Sequence, residues 1–348
     1  MFRRFSRLPL WTLAGVLSSA VPGAAWACAT CGCTLSADAA AGYSAIPGLR
    51  FSFEYDYINQ NALRSGTGTA TPAQIVNNPS NPALGGGEIE KQTINRYLTM
   101  GMSYSPNSAW NVSVLVPYVM RTHTTFGQQP SPYTTSQTAS DQISGASLSS
   151  PGDVKIVGSY QGLLPTHNLG VQLGMKLPTG HYGTAVNFNT GPNAGTPLDA
   201  SLQAGTGSTD VILGAYYYRP VSQNFDAFVN GQFQSAVKHK QDQPGNDFRP
   251  GNSATMSIGL RYEAHPQWVP QLQVNLSHKS ADQGALADTT DTAGTVAYLS
   301  PGVTLHVMGN LHLFAFAQIP MYSRLDGYQL FPHWTATVGG SYAFSPGP

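Results

Sequence analysis

Charged side chains are scarce in this chain. Asp, Glu, Lys and Arg make up 10% of its 348 residues, whereas soluble domains average about 25%. The 17 basic and 17 acidic residues balance, so the chain has no general attraction to the phosphates of nucleic acid. The mean hydropathy of −0.16 is too low for a bundle of membrane helices. These shortages leave three classes of protein: a soluble β-sandwich, a repeat protein and a membrane β-barrel.

Long apolar runs are also missing, with one exception at the N-terminus. Three arginines in the first seven residues precede an uncharged stretch over 8–20, and Ala25 and Ala27 form a small-x-small pattern. A basic start, an apolar run and such a cleavage pattern are typical of a secretory signal peptide. We therefore predict a signal peptide over 1–27 and an exported mature chain that begins near Cys28.

The remainder of the chain consists of short segments in which apolar and polar residues alternate. From Leu49 to Tyr57, the odd-numbered residues are Leu, Phe or Tyr, and the even-numbered residues are Arg, Ser, Glu or Asp. Alternation with a period of two predicts a β-strand with one apolar face. Eleven further segments fit this pattern, near 94–104, 109–122, 152–162, 168–178, 208–219, 225–237, 252–263, 269–278, 296–307, 311–322 and 332–344.

The connections between these segments alternate in length. The tight turns lie near 105–108, 164–167, 220–224, 265–268 and 308–310, and the mostly long, polar connections lie near 58–93, 123–151, 179–207, 238–251, 279–295 and 323–331. This alternation is typical of a transmembrane barrel with short periplasmic turns and long extracellular loops, whereas a sandwich has no reason to sort its loops by length. We therefore predict an all-β protein, a single antiparallel transmembrane β-barrel of about 12 strands over 48–348. Its place is the outer membrane of a Gram-negative bacterium, in contact with outer-membrane lipid.

In a barrel that spans lipid, the apolar face of each strand points outward and the polar face lines the lumen. The charged residues of the polar face are candidates for pore selectivity, or else they pair with each other in a structural network. They are Arg50, Glu54, Asp153, Lys155, Lys176, Arg261 and Glu263. Aromatic residues with inward parity either line a path for an apolar solute or fill the lumen, and they are Tyr216, Tyr218, Phe228, Phe314 and Phe316.

All three cysteines lie within six residues, at Cys28, Cys31 and Cys33. Thiolates with C-x-x-C spacing bind soft metals such as copper(I) or zinc, so the cluster is a candidate metal site. A disulfide formed in the oxidising periplasm and a lipid attached to Cys28 are the alternatives. The segment 28–47 has no strand alternation, and we predict that it is either a plug in the periplasmic mouth of the barrel or a periplasmic tail.

Enzyme motifs are missing from this chain. No nucleophile elbow, P-loop, H-E-x-x-H motif or Rossmann fingerprint stands in a suitable context. We therefore expect that the protein is not an enzyme and needs no cofactor, apart from a metal at the cysteines. The last segment instead carries Thr337, Gly339, Tyr342 and Phe344, in a spacing that resembles the C-terminal signature of outer-membrane proteins. That signature implies the barrel-assembly machinery as a partner.

Short motifs in a fixed order resemble a known family. They are Leu-Val-Pro-Tyr at 115–118, Gly-Asp-Val-Lys at 152–155, Lys-Leu-Pro-Thr-Gly at 176–180 and Gly-Thr-Gly-Ser-Thr-Asp at 205–210. Their order is similar to that in the outer-membrane barrels assigned to transport in the phenol meta-cleavage pathway. The resemblance covers most of the chain after residue 48, and it implies a monomeric barrel that passes small hydrophobic or aromatic compounds. The cysteine cluster departs from the family pattern.

Three hypotheses about function follow from these features. The leading hypothesis is an outer-membrane channel for the passive passage of small hydrophobic or aromatic compounds, which are then its solute partners. The second is an envelope barrel that binds copper or takes part in redox chemistry through the cysteine cluster. The third is a structural barrel that conducts nothing.

Overall fold

The alternating segments form antiparallel β-strands. The computed structural model describes residues 47–76, 89–126 and 143–344. Its strands are β1 (Gly48–Gly66), β2 (Gly68–Thr69), β3 (Ile89–Ser105), β4 (Trp110–Phe126), β5 (Ile143–Pro151), β6 (Val154–Tyr160), β7 (Leu169–Leu177), β8 (Ser208–Pro220), β9 (Phe225–His239), β10 (Asp242–Gln243), β11 (Asn246–Asp247), β12 (Ser253–Tyr262), β13 (Trp268–Lys279), β14 (Gly294–Met308) and β15 (Leu311–Phe344). A short helix, α1 (Pro72–Val76), follows β2, and a single 3-10 turn covers Ala200–Leu202. None of the described helices is long and apolar enough to cross a bilayer.

Neighbouring strands pair in sequence order around a closed barrel. The first and last strands meet as an antiparallel pair, with Leu49 opposite Phe344 and Tyr57 opposite Ala336. Eleven strands close the ring. The long strand β15 runs along the wall twice, because its first arm pairs with β14 and its second arm pairs with β1. The wall therefore consists of about twelve spanning segments, here called crossings, as the sequence predicts.

The structure corrects three of the predicted loops. Residues 143–151, expected in a loop, form β5. Strand β5 pairs with the second half of β4 and β6 pairs with its first half, so β5 and β6 together form one crossing. The first strand continues to Gly66 rather than ending at Tyr57. The loop expected over 323–331 is a sharp bend within β15, where Gly327 has a φ of 59° that L-residues with side chains rarely adopt.

The apolar face of the wall points outward, as predicted. Leu173 is 63% exposed and Met321 is 64% exposed, which decides the orientation, because large apolar side chains in a soluble sandwich would be buried between its sheets. A continuous band of this kind fits contact with lipid hydrocarbon. The connections between crossings are short at one end of the barrel and mostly long at the other, as in the turn 221–224 and the segment 178–207. Which end faces the cell exterior stays a prediction.

Candidate functional site

The lumen contains a central cavity of about 380 Å³. Five of the charged residues predicted to face inward line it: Arg50, Glu54, Asp153, Lys155 and Lys176. Serine and threonine side chains of β1, β3 and β4 form much of the remaining wall, together with amides of β9 and β13. The cavity therefore offers both hydrogen-bonding groups and charge. That these residues select solutes stays a prediction.

Lys176 is the centre of a buried ion-pair network. Its Nζ lies 3.2 Å from Asp153 Oδ2 and 3.1 Å from Asp210 Oδ2. It also donates to the hydroxyls of Thr206 and Ser208. A buried ammonium needs such partners, because an unpaired charge away from water is costly. In this part of the lumen, the charged residues therefore pair with each other in a structural network.

Asp153 joins this network to the long segment 178–207. Its Oδ1 accepts a hydrogen bond from the Gly180 amide (3.0 Å) and its Oδ2 one from the Thr206 amide (2.9 Å). The backbones at Gly180 and Gly205 touch, since a Cβ at Gly180 would lie 2.9 Å from Gly205 Cα. Three of the four motifs that carried the family resemblance therefore meet at one carboxylate, a convergence that no periodicity could predict.

The segment 178–207 packs against the inner wall at the long-loop end. Phe188, Leu198 and Leu202 form an apolar cluster with Val119 of β4 and with side chains of β5. Arg121 of β4 donates to the carbonyl oxygens of Leu202 and Gln203, and it also donates to Asn95 and to the Tyr97 hydroxyl. Sequence analysis missed Arg121, although its position in β4 has the inward parity and could have indicated it.

Inward aromatic rings occupy the half of the barrel nearer the short turns. Tyr216 packs against Phe228, and the rings of Phe314 and Phe316 lie 6.2 Å apart. Each ring covers a glycine of a neighbouring strand or, for Phe314, of the second arm of β15, an arrangement known to support glycines in sheets. The pairs are Tyr216 with Gly170, Phe228 with Gly259, Phe316 with Gly302 and Phe314 with Gly339.

These four rings are buried and do not border the central cavity. That they line a path for an apolar solute or fill the lumen stays a prediction. The Tyr218 hydroxyl donates to the His167 carbonyl in a short connection. Arg261 forms a salt bridge of 2.9 Å with Glu263 at the short-turn end. Neither member of that pair borders the central cavity.

Two long loops bring carboxyl groups together above the lumen. Burial, together with repulsion from neighbouring Asp288, raises the pKa of Asp291 to about 8. Burial likewise raises the pKa of Asp199, in the segment 178–207, to about 7, and repulsion from Asp288 and Asp282 acts in the same direction. Asp199 lies in the segment 178–207, whereas Asp282 and Asp288 lie in the loop 280–293. The two loops therefore lie within electrostatic range of each other.

The cysteine cluster lies outside the described residues, as do the signal peptide and nearly all of the segment 28–47. Metal binding at Cys28, Cys31 and Cys33 stays a prediction. Within 47–76, 89–126 and 143–344, no group of three or more His, Cys, Asp or Glu side chains is arranged to hold a metal ion.

Three solved outer-membrane proteins are similar to this chain to different degrees. An outer-membrane channel of Pseudomonas putida F1 is similar with a TM-score of 0.60 and 11% identity, over 87% of this chain and 98% of that chain. The toluene transporter TbuX of Ralstonia pickettii gives a TM-score of 0.43 at 10% identity, over 86% of this chain and 90% of that one. The toluene transporter TodX of P. putida gives 0.41 at 11% identity, over 87% and 92%. The two toluene transporters, with TM-scores below 0.5, support no argument about this chain, and the similarity to the P. putida F1 channel shows the fold alone.

No curated protein matches the sequence. The fold and the outward apolar band establish an outer-membrane β-barrel. The family expected from the four motifs is also confirmed. A family model described as "Putative MetA-pathway of phenol degradation" matches residues 77–325, more than half of the chain, and the chain therefore belongs to that family.

Proposed function

We propose that this protein is an outer-membrane channel through which small aromatic compounds pass by diffusion. The observation that carries the proposal is the cavity of about 380 Å³ enclosed by the closed strand wall. A dry cavity of roughly 150 Å³ is large enough to bind benzene, so this cavity has room for a compound with one aromatic ring. The family description, which concerns phenol degradation, supports the same class of solute.

The lining of the cavity favours solutes that combine a ring with a polar group. Ligand sites are usually apolar surfaces with a few polar groups that fix orientation. Here Leu115 and Val157 supply apolar surface, while Ser103 and Ser113 supply hydroxyls. Passive passage needs no reacting group, which agrees with the expectation that the protein is not an enzyme.

Uptake into proteoliposomes tests the proposal. We expect benzamide, a small neutral aromatic compound, to enter liposomes with the folded protein faster than empty liposomes. We also expect it to enter faster than arabinose, a sugar of similar size. If neither solute enters faster, the barrel is a structural one that does not conduct. Equal acceleration of both solutes would indicate a general pore.

A pair of tryptophan variants locates the path. Ser113→Trp places a large ring in the cavity, which Ser113 lines, whereas Ser222→Trp places the same ring in an exposed short turn. We expect benzamide entry to fall several-fold in the first variant and to stay at the wild-type rate in the second. Only variants that keep the β-sheet circular dichroism signal are compared. Equal rates in both variants would show that solutes do not pass through this cavity.

A further inference from the structure

Lys155 is a cavity-lining lysine whose ammonium has no direct partner in the part of the chain that the structure describes. It lies in β6 and faces the cavity, and the described residues offer its Nζ neither a hydrogen bond nor a carboxylate within 4.0 Å. Its register partner on β7 is Lys176. Like charges directly opposite each other in a sheet repel, and the two carboxylates nearest this pair of lysines, Asp153 and Asp210, form their salt bridges with Lys176.

The protein's own carboxylates are poorly placed to fill this role. Asp153 and Asp210 act on Lys155 electrostatically, but both form salt bridges with Lys176 and accept hydrogen bonds from Thr206, Ser208 or Gln234. Glu54, another carboxylate of the cavity wall, lies on β1. Two strands, β3 and β4, separate β1 from β6, which corresponds to about 14 Å along the wall.

Apolar surface lies beside the Lys155 ammonium. Leu115 is its register partner on β4, and Val157 is the next inward residue of β6. Both border the cavity. The site thus joins a cation, which makes strong charge-assisted hydrogen bonds to carboxylates, to a surface on which a ring can lie.

We propose that this cavity is a binding site for aromatic carboxylates, with Lys155 holding the carboxylate and Leu115 and Val157 contacting the ring. The inference rests on the proposed function and narrows its solutes to an acidic subclass. Lys176 cannot replace Lys155, because its ammonium already forms salt bridges with two aspartates.

Benzoate and benzamide form a matched pair of probes, since they share a ring and differ in charge. Their entry into proteoliposomes is measured in parallel at pH 7, with radiolabelled solute at concentrations below saturation. For the wild-type protein we expect benzoate to enter faster than benzamide, after subtraction of the rate in empty liposomes. This comparison depends on no variant.

Lys155→Met keeps most of the length of the side chain and removes its charge. We expect it to lower benzoate entry about ten-fold or more, as the loss of a charge-assisted hydrogen bond implies, and to leave benzamide entry within two-fold of wild type. Lys155→Arg restores the charge and should restore most of the benzoate rate. Lys238→Met removes an exposed lysine of β9 and should change neither rate.

Each other outcome has a definite meaning. If Lys155→Met leaves benzoate entry unchanged, or lowers both solutes equally, the carboxylate site is wrong. If wild-type protein passes benzamide but not benzoate, the channel stands and this inference falls. If the wild type passes neither solute, the proposed function fails, and the inference with it.

Discussion

Replacing Asp153 by alanine tests the claim that one carboxylate holds the segment 178–207 against the barrel wall. In the folded protein, Asp153 accepts from the Gly180 amide at 3.0 Å, from the Thr206 amide at 2.9 Å and from the Thr206 hydroxyl at 3.1 Å. It also neutralises Lys176 at 3.2 Å. The substitution removes all four interactions and leaves their donors in a buried environment.

The expected cost follows from the donors that lose their acceptor. Each buried donor without a partner costs about 1–3 kcal/mol, and breaking a buried ion pair costs about 3–5 kcal/mol. These values do not add, and water from the adjacent cavity can reach some of the donors. We therefore expect a loss of about 3–5 kcal/mol in the free energy of unfolding. Asp153→Asn, which keeps one acceptor oxygen, should lose less.

Two assays measure this effect. Urea unfolding in lipid vesicles gives the free energy, and limited chymotrypsin digestion reports on the segment 178–207. That segment contains Tyr182 and Phe188 but no Lys or Arg, so trypsin would not cut it. The control is Asp242→Ala in the exposed strand β10, which should stay within about 0.5 kcal/mol of wild type. Wild-type stability and protease resistance in Asp153→Ala would refute the reasoning.

Two further predictions concern the rings and the loops. A Cβ at Gly302 would lie 2.0 Å from the Phe316 ring, so Gly302→Ala should destabilise the barrel by about 1–3 kcal/mol in urea unfolding; the penalty should vanish in a Phe316→Ala background, and its persistence there would contradict the contact. Burial raises the pKa of Asp291 from 3.8 to about 8, so between these pH values the folded loop keeps a proton that the unfolded loop has released. The free energy of unfolding should therefore fall as pH rises from about 4 to 8. Hydrogen-exchange protection in 280–293, expressed relative to the intrinsic exchange rate at each pH, should therefore fall over that range in wild type and change less in Asp291→Asn, and equal pH slopes would contradict the raised pKa.

Parity explains why most of the fold could be predicted from the sequence. A side chain of a strand points in or out according to whether its position is odd or even, so the outward placement of Leu173 and the inward placement of Arg50 followed directly from the alternation. The loop errors arose where alternation is weak. Residues 143–151 are mostly Ser, Gly and Ala with little apolar contrast, yet the hydrogen bonds of β4 extend along them.

Pairing between inward side chains could not be predicted in this way, because it depends on which residues face each other across the lumen. Lys155 and Lys176 look equivalent in the sequence, as inward lysines in consecutive barrel crossings. Only the folded structure distinguishes them, since it places Asp153, Asp210 and Thr206 against the Lys176 ammonium and leaves the Lys155 side chain facing the cavity. The charge available to a solute is therefore set by the pairing of Lys176 with Asp153 and Asp210 as much as by the parity of the wall strands.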